Sequence, residues 1–257
     1  MKTIVVPVDF SGISRNAAEY AADLSSVIGT HLTLFHTCII PQSFSEVPAP
    51  ALSLSGLKEE AEKQMAILKD RLDFRTGGRI KIDTEIREGN VISELDRYCA
   101  SIPVYAVVMG AESAGAFERF LFGGKTLSAM KQLSWPLIII PPDVKFSSLR
   151  KIGLACDLKN VAESLPVREI ESMVNEFNAE LHVLHANKDS GDTFSDDQIA
   201  QTEWLRDLIG QLKPKYHFIK DADTEKAITD FAEQNGIDLL IIIPKNHGLG
   251  GKIFHQS

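Results

Sequence analysis

The run Ile4-Val5-Val6-Pro7-Val8-Asp9 decides the fold once it is set beside Ile152-Gly153-Leu154-Ala155-Cys156-Asp157. Both are apolar stretches that end in aspartate. Each leads into a helical stretch and then into a second apolar run that closes on histidine. These second runs are Leu34-Phe35-His36 and Leu181-His182-Val183-Leu184-His185. The two aspartates lie 148 residues apart, and His36 and His185 lie 149 apart. Register kept to one residue over such an interval marks an internal repeat, so the chain reads as two copies of one unit.

The later segments fit the same plan. Ile80 to Glu85 and Lys215 to Lys220 alternate apolar and polar residues, as strands near a sheet edge do. Val104 to Met109 and Ile237 to Ile243 are apolar runs, the second broken only by Asp238, suited to strands covered on both faces, and Leu137 to Ile140 closes the first copy. Helices fall between them. Ala17, Ala21, Leu24 and Ile28 share one helical face, as do Leu57, Ala61, Met65, Leu68 and Leu72. Ser195 with Gln198 reads as a capping box for a helix running to Leu212, and Asp223 caps a helix that Gly236 ends. Strands alternating with helices imply α/β units with doubly wound parallel sheets. Residues 1–143 and 149–257 are the expected domains, joined by a linker at 141–148 that opens on two prolines. The second copy reaches Ser257 before any fifth strand. Truncation is the favoured reading and a strand supplied by a partner the alternative. Either leaves Leu239 to Ile243 with an open edge, a liability for association.

Composition narrows the function. Hydrophobic residues make up 44% and charged residues 24%, the balance of a water-soluble globular chain, and no apolar run approaches the roughly 20 residues that span a bilayer. The N-terminus lacks the apolar stretch of a signal peptide. Cys38, Cys99 and Cys156 are too few and too scattered for a disulfide framework or a zinc site, which points to the reducing cytoplasm. Net charge is −8, with −2 on residues 1–146 and −6 on 147–257. Without a basic stripe, nucleic acid is not an expected partner.

In open α/β sheets, ligands bind beyond the carboxyl ends of the strands where strand order reverses. Pro7-Val8-Asp9-Phe10-Ser11 and Met109-Gly110-Ala111-Glu112-Ser113 are expected to meet there. With Val107-Val108-Met109-Gly110 and Gly123-Gly124-Lys125-Thr126, these residues resemble a universal stress protein domain, and the whole chain resembles a tandem pair of them. The resemblance implies two flavodoxin-like domains, the second lacking its last strand. It also implies a cytoplasmic stress-response protein that acts by binding and pairs as a dimer or within the chain.

Some members of the family bind ATP, with magnesium, through a Gly-x2-Gly-x9-Gly-(Ser/Thr) signature and an aspartate at the end of the first strand. On that resemblance Pro7, Val8 and Asp9 contact the nucleoside, and Gly110, Ser113, Gly123, Gly124 and Thr126 line the phosphates. The match is partial. Ser113 stands for the second glycine and Gly124 for the hydroxyl residue, with Thr126 nearby, while Glu112 adds a negative charge to the turn. The second copy departs further. Asp157 is in place, but Pro244 replaces the first glycine and offers no N–H. Its basic turn with Lys245 and His247 suits a different anion or plain surface.

Other signals carry less. Gly123-Gly124-Lys125-Thr126 is not a P-loop, because Arg119 stands where the first glycine is required. His182 and His185 are expected on opposite strand faces, one at the surface and one half-buried, too divergent to share a metal. Cys156 is expected in a buried strand, where the adjacent Asp157 raises a thiol's pKa. No nucleophile–base arrangement stands out. The chain therefore reads as a binder rather than an enzyme. The alternatives are an interaction module without nucleotide, and a slow nucleotide hydrolase with Glu112 as its one candidate base.

Overall fold

The computed structural model describes residues 1–38, 54–111, 129, 132–187 and 196–243. These fall into two compact units, one reaching Phe146 and the other starting at Ser147.

The first unit runs β1 (Thr3–Pro7), α1 (Gly12–Ile28), β2 (His31–Cys38), α2 (Leu54–Thr76), β3 (Ile82–Glu88), α3 (Val91–Cys99), β4 (Val104–Gly110) and β5 (Leu137–Ile140). Its five strands form one sheet in the order β3-β2-β1-β4-β5, all neighbours parallel. Strand order thus reverses between β1 and β4. The alternating segment is the edge strand β3, displaced two residues from Ile80. The apolar runs β1 and β4 are interior strands, buried on both faces. Ile4, Val5, Val6, Ala106, Val107 and Val108 are fully buried.

Helix α1 follows from its sequence. Ser11 caps it by accepting from the Ser14 N–H, and Gly29 ends it in the left-handed region. Its inward face carries Ala17, Ala21 and Leu24, all buried, and α2 buries Ala61, Met65, Leu68 and Leu72. Asn90 caps α3 by accepting from the Ile92 and Ser93 amides. The segment after β5, the start of the expected linker, is fastened to α1. Asn16 Nδ2 donates to the Val144 carbonyl at 3.1 Å, and Lys145 Nζ meets Asn16 Oδ1 at 2.6 Å and Glu19 Oε2 at 3.1 Å. The Phe146 ring sits edge-on to Tyr20.

The second unit runs β6 (Lys151–Ala155), α4 (Val161–Ser164), α5 (Val167–Phe177), β7 (Glu180–Asn187), α6 (Asp196–Ile209) with a short 3-10 turn to Leu212, β8 (Lys215–Lys220), α7 (Thr224–Gln234) and β9 (Leu239–Ile242). The sheet order is β8-β7-β6-β9, again parallel, with four strands among the described residues. This is the first unit's order without its last strand. The helix after the first strand is split here, because Pro166 cannot continue α4. Asp223 caps α7 by accepting from the Lys226 N–H, and Gly236 follows its end with φ +61. Ser195 lies outside the described residues. No helix among the described residues is long and apolar enough to cross a membrane.

Candidate functional site

Both first strands end two residues short of their aspartates, at Pro7 and Ala155, and the backbone then turns in the same way in both copies. The Val8 N–H donates to Phe35 O at 2.8 Å, and the Cys156 N–H to Leu184 O at 3.0 Å. The aspartate side chain then closes an Asx turn. Asp9 Oδ1 accepts from the Ser11 N–H at 3.1 Å, and Asp157 Oδ1 from the Lys159 N–H at 3.2 Å. The residue between takes a left-handed backbone in each copy, Phe10 at φ 63 and Leu158 at φ 53. Neither residue type favours that region, so strain held twice at one place marks a constrained loop.

His36 and His185 lock these loops. His36 Nδ1 lies 2.7 Å from the Val8 carbonyl, and His185 Nδ1 lies 2.9 Å from the Cys156 carbonyl. A carbonyl only accepts, so Nδ1 carries the proton in both rings. The His36 ring also packs on Phe10 at 4.7 Å. The recurrent histidine therefore ties the second strand to the loop after the first.

In the first unit the loop feeds straight into α1. Asp9 is exposed, and its N–H donates to Ser14 Oγ at 3.3 Å. The amides of Gly12 and Ile13 lie in the first turn, where a helix offers no acceptor, so this end favours negative charge. Gly110, at the end of β4, faces the same turn. A Cβ there would stand 2.5 Å from Ile13 Cγ2 and 2.8 Å from the Ile13 carbonyl oxygen. The missing side chain thus has a packing cause: it lets α1 close onto β4.

Of the sequence-derived site residues, Pro7, Val8, Asp9 and Gly110 lie at the carboxyl ends of β1 and β4, where strand order reverses. Glu112, Ser113, Gly123, Gly124 and Thr126 lie outside the described residues. In the second unit Asp157 occupies the matching turn, and Pro244, Lys245 and His247 lie outside the described residues. The strand registers correct one correspondence. Ile4 pairs with Ala106 and Ile152 with Leu239, so the residue level with Gly110 is Ile243 rather than Pro244. The slip arises at a bulge at the start of β4, between Thr3 and Ile4 of its partner.

Two further expectations are corrected. His182 is buried, 6% exposed, because α7 and the edge strand β8 cover its side of the sheet. Cys156 lies beyond β6 and is partly exposed. Sequence reasoning also missed Ile13 and Ser14, and the left-handed backbone of Phe10. Only the recurrence of His36 and His185 hinted at the lock between loop and strand.

One cavity of about 350 Å³ opens elsewhere, at the carboxyl ends of β2 and β3, lined by Cys38, Lys58, Ile86, Arg87, Glu88 and Glu94. Of its two cations, Lys58 and Arg87, the arginine is held by Glu85 at 2.8 Å and lies over the Tyr98 ring. Burial pushes the Cys38 thiol up from its ordinary value, which makes it a poor nucleophile. The cavity lies two strands from β4, whereas the repeated loop geometry lies at the reversal.

The sequence model of Usp, the universal stress protein family, matches residues 1–141. A universal stress protein of Methanocaldococcus jannaschii is 25% identical over 142 residues, 54% of this chain and 81% of that one. A universal stress protein of Mycolicibacterium smegmatis is 30% identical over 145 residues, 54% of this chain and 48% of that one, so the chain matches about half of that relative's length. Among solved structures, a universal stress protein from Archaeoglobus fulgidus superposes with a TM-score of 0.68 at 19% identity, covering 93% of this chain and 83% of that one. A protein of unknown function from Pseudomonas aeruginosa gives 0.53 at 13% identity, covering 93% and 80%. At these identities the two structures show the fold alone, and they show it across both units. With a family match over more than half its length, the chain belongs to the universal stress protein family.

Proposed function

We propose that this protein is a cytoplasmic, non-catalytic stress-response protein that binds ATP in the crevice of its first unit. Its second unit, residues 149–257, is a diverged copy of the first, 1–143. The observation that carries the reading is the loop at the β1/β4 reversal, where exposed Asp9 stands beside the open amide end of α1. Pro7, Val8 and Asp9 meet the nucleoside, and Gly110, Ser113, Gly123, Gly124 and Thr126 border the phosphates. Magnesium supplies charge neutralisation of the triphosphate, which needs few dedicated protein ligands. In the second unit Ile243 fills the level of Gly110 and the leading helix is broken, so Asp157, Lys245 and His247 border a crevice with little or no affinity for ATP.

A second reading has one observation in its favour. Gly110 is explained by packing against Ile13, so its presence does not require a phosphate. On that reading the protein acts through its surfaces, as a homo-oligomer or with other proteins. Calorimetric titration of magnesium ATP into the wild type, Asp9→Asn and Asp9→Ala separates the two. The asparagine keeps the Asx turn and removes the charge, while alanine removes both. Saturable binding lost in Asp9→Ala supports the nucleotide reading. No heat in the wild type at millimolar-order ATP, a range set by ordinary weak binding, rejects it.

A further inference from the structure

Four polar side chains gather on one face of the second sheet. His182 on β7 stacks against His217 on the edge strand β8, the rings 8° from parallel with centroids 5.1 Å apart. His182 Nδ1 lies 3.1 Å from His217 Nε2. On its other side His182 Nε2 faces Glu180 Oε2 at 3.4 Å, and the same oxygen accepts from Lys215 Nζ at 2.7 Å. From α7 the neighbour is the Phe231 ring, 4.6 Å from His217. The charged residues of that helix look elsewhere: Lys226 pairs with Asp230, and Glu225 and Glu233 are exposed.

The hydrogen-bond inventory fixes what this arrangement tolerates. The Glu180 carboxylate accepts, so His182 Nε2 carries a proton. The contact between the rings then needs one donor and one acceptor. It is satisfied with both rings neutral, the His217 N–H donating, or with a single added proton on His182. With both rings charged, two N–H groups face each other at 3.1 Å beside the Lys215 ammonium. Burial, His182 and Lys215 together hold His217 below the ordinary imidazole range, in keeping with a site that resists its own proton.

We propose that the stacked His182–His217 pair is an acid-released latch that holds the edge strand β8 and helix α7 on the second sheet. As protons reach both rings, His217 leaves the stack. The β7–β8 ladder, which runs from His182–Lys215 to Asn187–Lys220, then loses its anchor at the Lys215 end. Release uncovers the edge of β7. The device is confined to the second unit and is independent of any nucleotide in the first.

Hydrogen exchange on the full chain tests it, at about pH 7.5 and about pH 5.5, either side of the ordinary imidazole value. Rates are corrected for intrinsic exchange, and β8 amides are compared with β6 amides of the same molecule. The wild type is expected to lose protection in β8 by about tenfold relative to β6 on acidification, a local opening rather than a global one. His217→Phe keeps a ring against Phe231 without a titrating nitrogen, and His217→Gln serves where phenylalanine disturbs the fold. Both are expected to abolish the acid-induced loss. A β8 strand that keeps step with β6 in the wild type, or an undiminished loss in both variants, overturns the latch.

Discussion

At Gly110 a single hydrogen in place of a methyl group sets how near a helix comes to a strand. The Ile13 carbonyl 2.8 Å from the virtual Cβ is backbone and cannot rotate away, so Gly110→Ala must push α1 off β4. The expected cost is about 1–3 kcal/mol, the range for overpacking a close contact. Urea unfolding in a Trp204→Phe background, where Trp135 reports the first unit, measures it. An unchanged midpoint would mean that α1 and β4 are not held so closely. Residues also show what the sequence discloses. Asp9 and Asp157 stand out because the repeat aligns them, and the Asx turns give that recurrence a cause. The cause of Gly110 is hidden, because Ile13 lies 97 positions away in sequence and the two meet only through the fold. Phe10 and Leu158 are hidden for another reason: their left-handed backbone is imposed by the loop and no residue preference announces it.

At the scale of elements, legibility follows burial. The central strands β1 and β4 are apolar throughout and read plainly, and the edge strands β3 and β8 show their exposed side as alternation. The segment after β5 escapes such reading, because its contacts with α1 are polar and distant in sequence. Glu19 is their hub. Its carboxylate is buried and meets Arg71 at 2.5 Å, Lys145 at 3.1 Å and Arg75 at 3.8 Å, joining α1, α2 and the strap. Glu19→Gln keeps the volume and removes the charge that three cations share. The expected loss is about 1–2 kcal/mol, below the cost of breaking a fully buried pair because the cations remain in contact with water. Lys145→Ala is expected to cost less than Glu19→Gln, since two cations stay on the carboxylate. Equal losses in both variants would place the stabilisation in the strap alone. Asp223→Ala removes the α7 cap and is expected to cost about 1 kcal/mol, read from the unfolding of the second unit with Trp204 as reporter.

At the scale of the whole molecule the two units are unequal. Among the described residues the buried apolar set numbers 31 up to Ile140 and 13 from Leu149 onward. Hydrophobic burial supplies most of the folding free energy, so the second unit is expected to unfold first and the chain to show two transitions rather than one. Each unit holds one tryptophan, Trp135 and Trp204, so fluorescence of Trp204→Phe follows the first unit and that of Trp135→Phe the second. Acid should widen the gap. His217 is held below its ordinary value in the folded state, so the unfolded chain binds more protons. Its share of stability is complete above the unfolded imidazole value of about 6.5 and declines as pH falls below it. The Glu180 carboxyl is lowered by Lys215 and His182, and its contribution is lost later, as pH falls through the carboxylate range. The same two reporters locate a nucleotide without a crystal. A ligand that binds only the folded form stabilises by RT ln(1 + [L]/Kd), about 2.7 kcal/mol at a hundred times Kd. Magnesium ATP is expected to raise the Trp135 transition and leave the Trp204 transition in place. The Asp9→Ala variant should lose that shift. A shift of the Trp204 transition instead would move the site to the crevice of Asp157. No shift in either would leave the repeated loops as a structural lock, with His36 and His185 serving the fold and the function lying on the protein's surfaces.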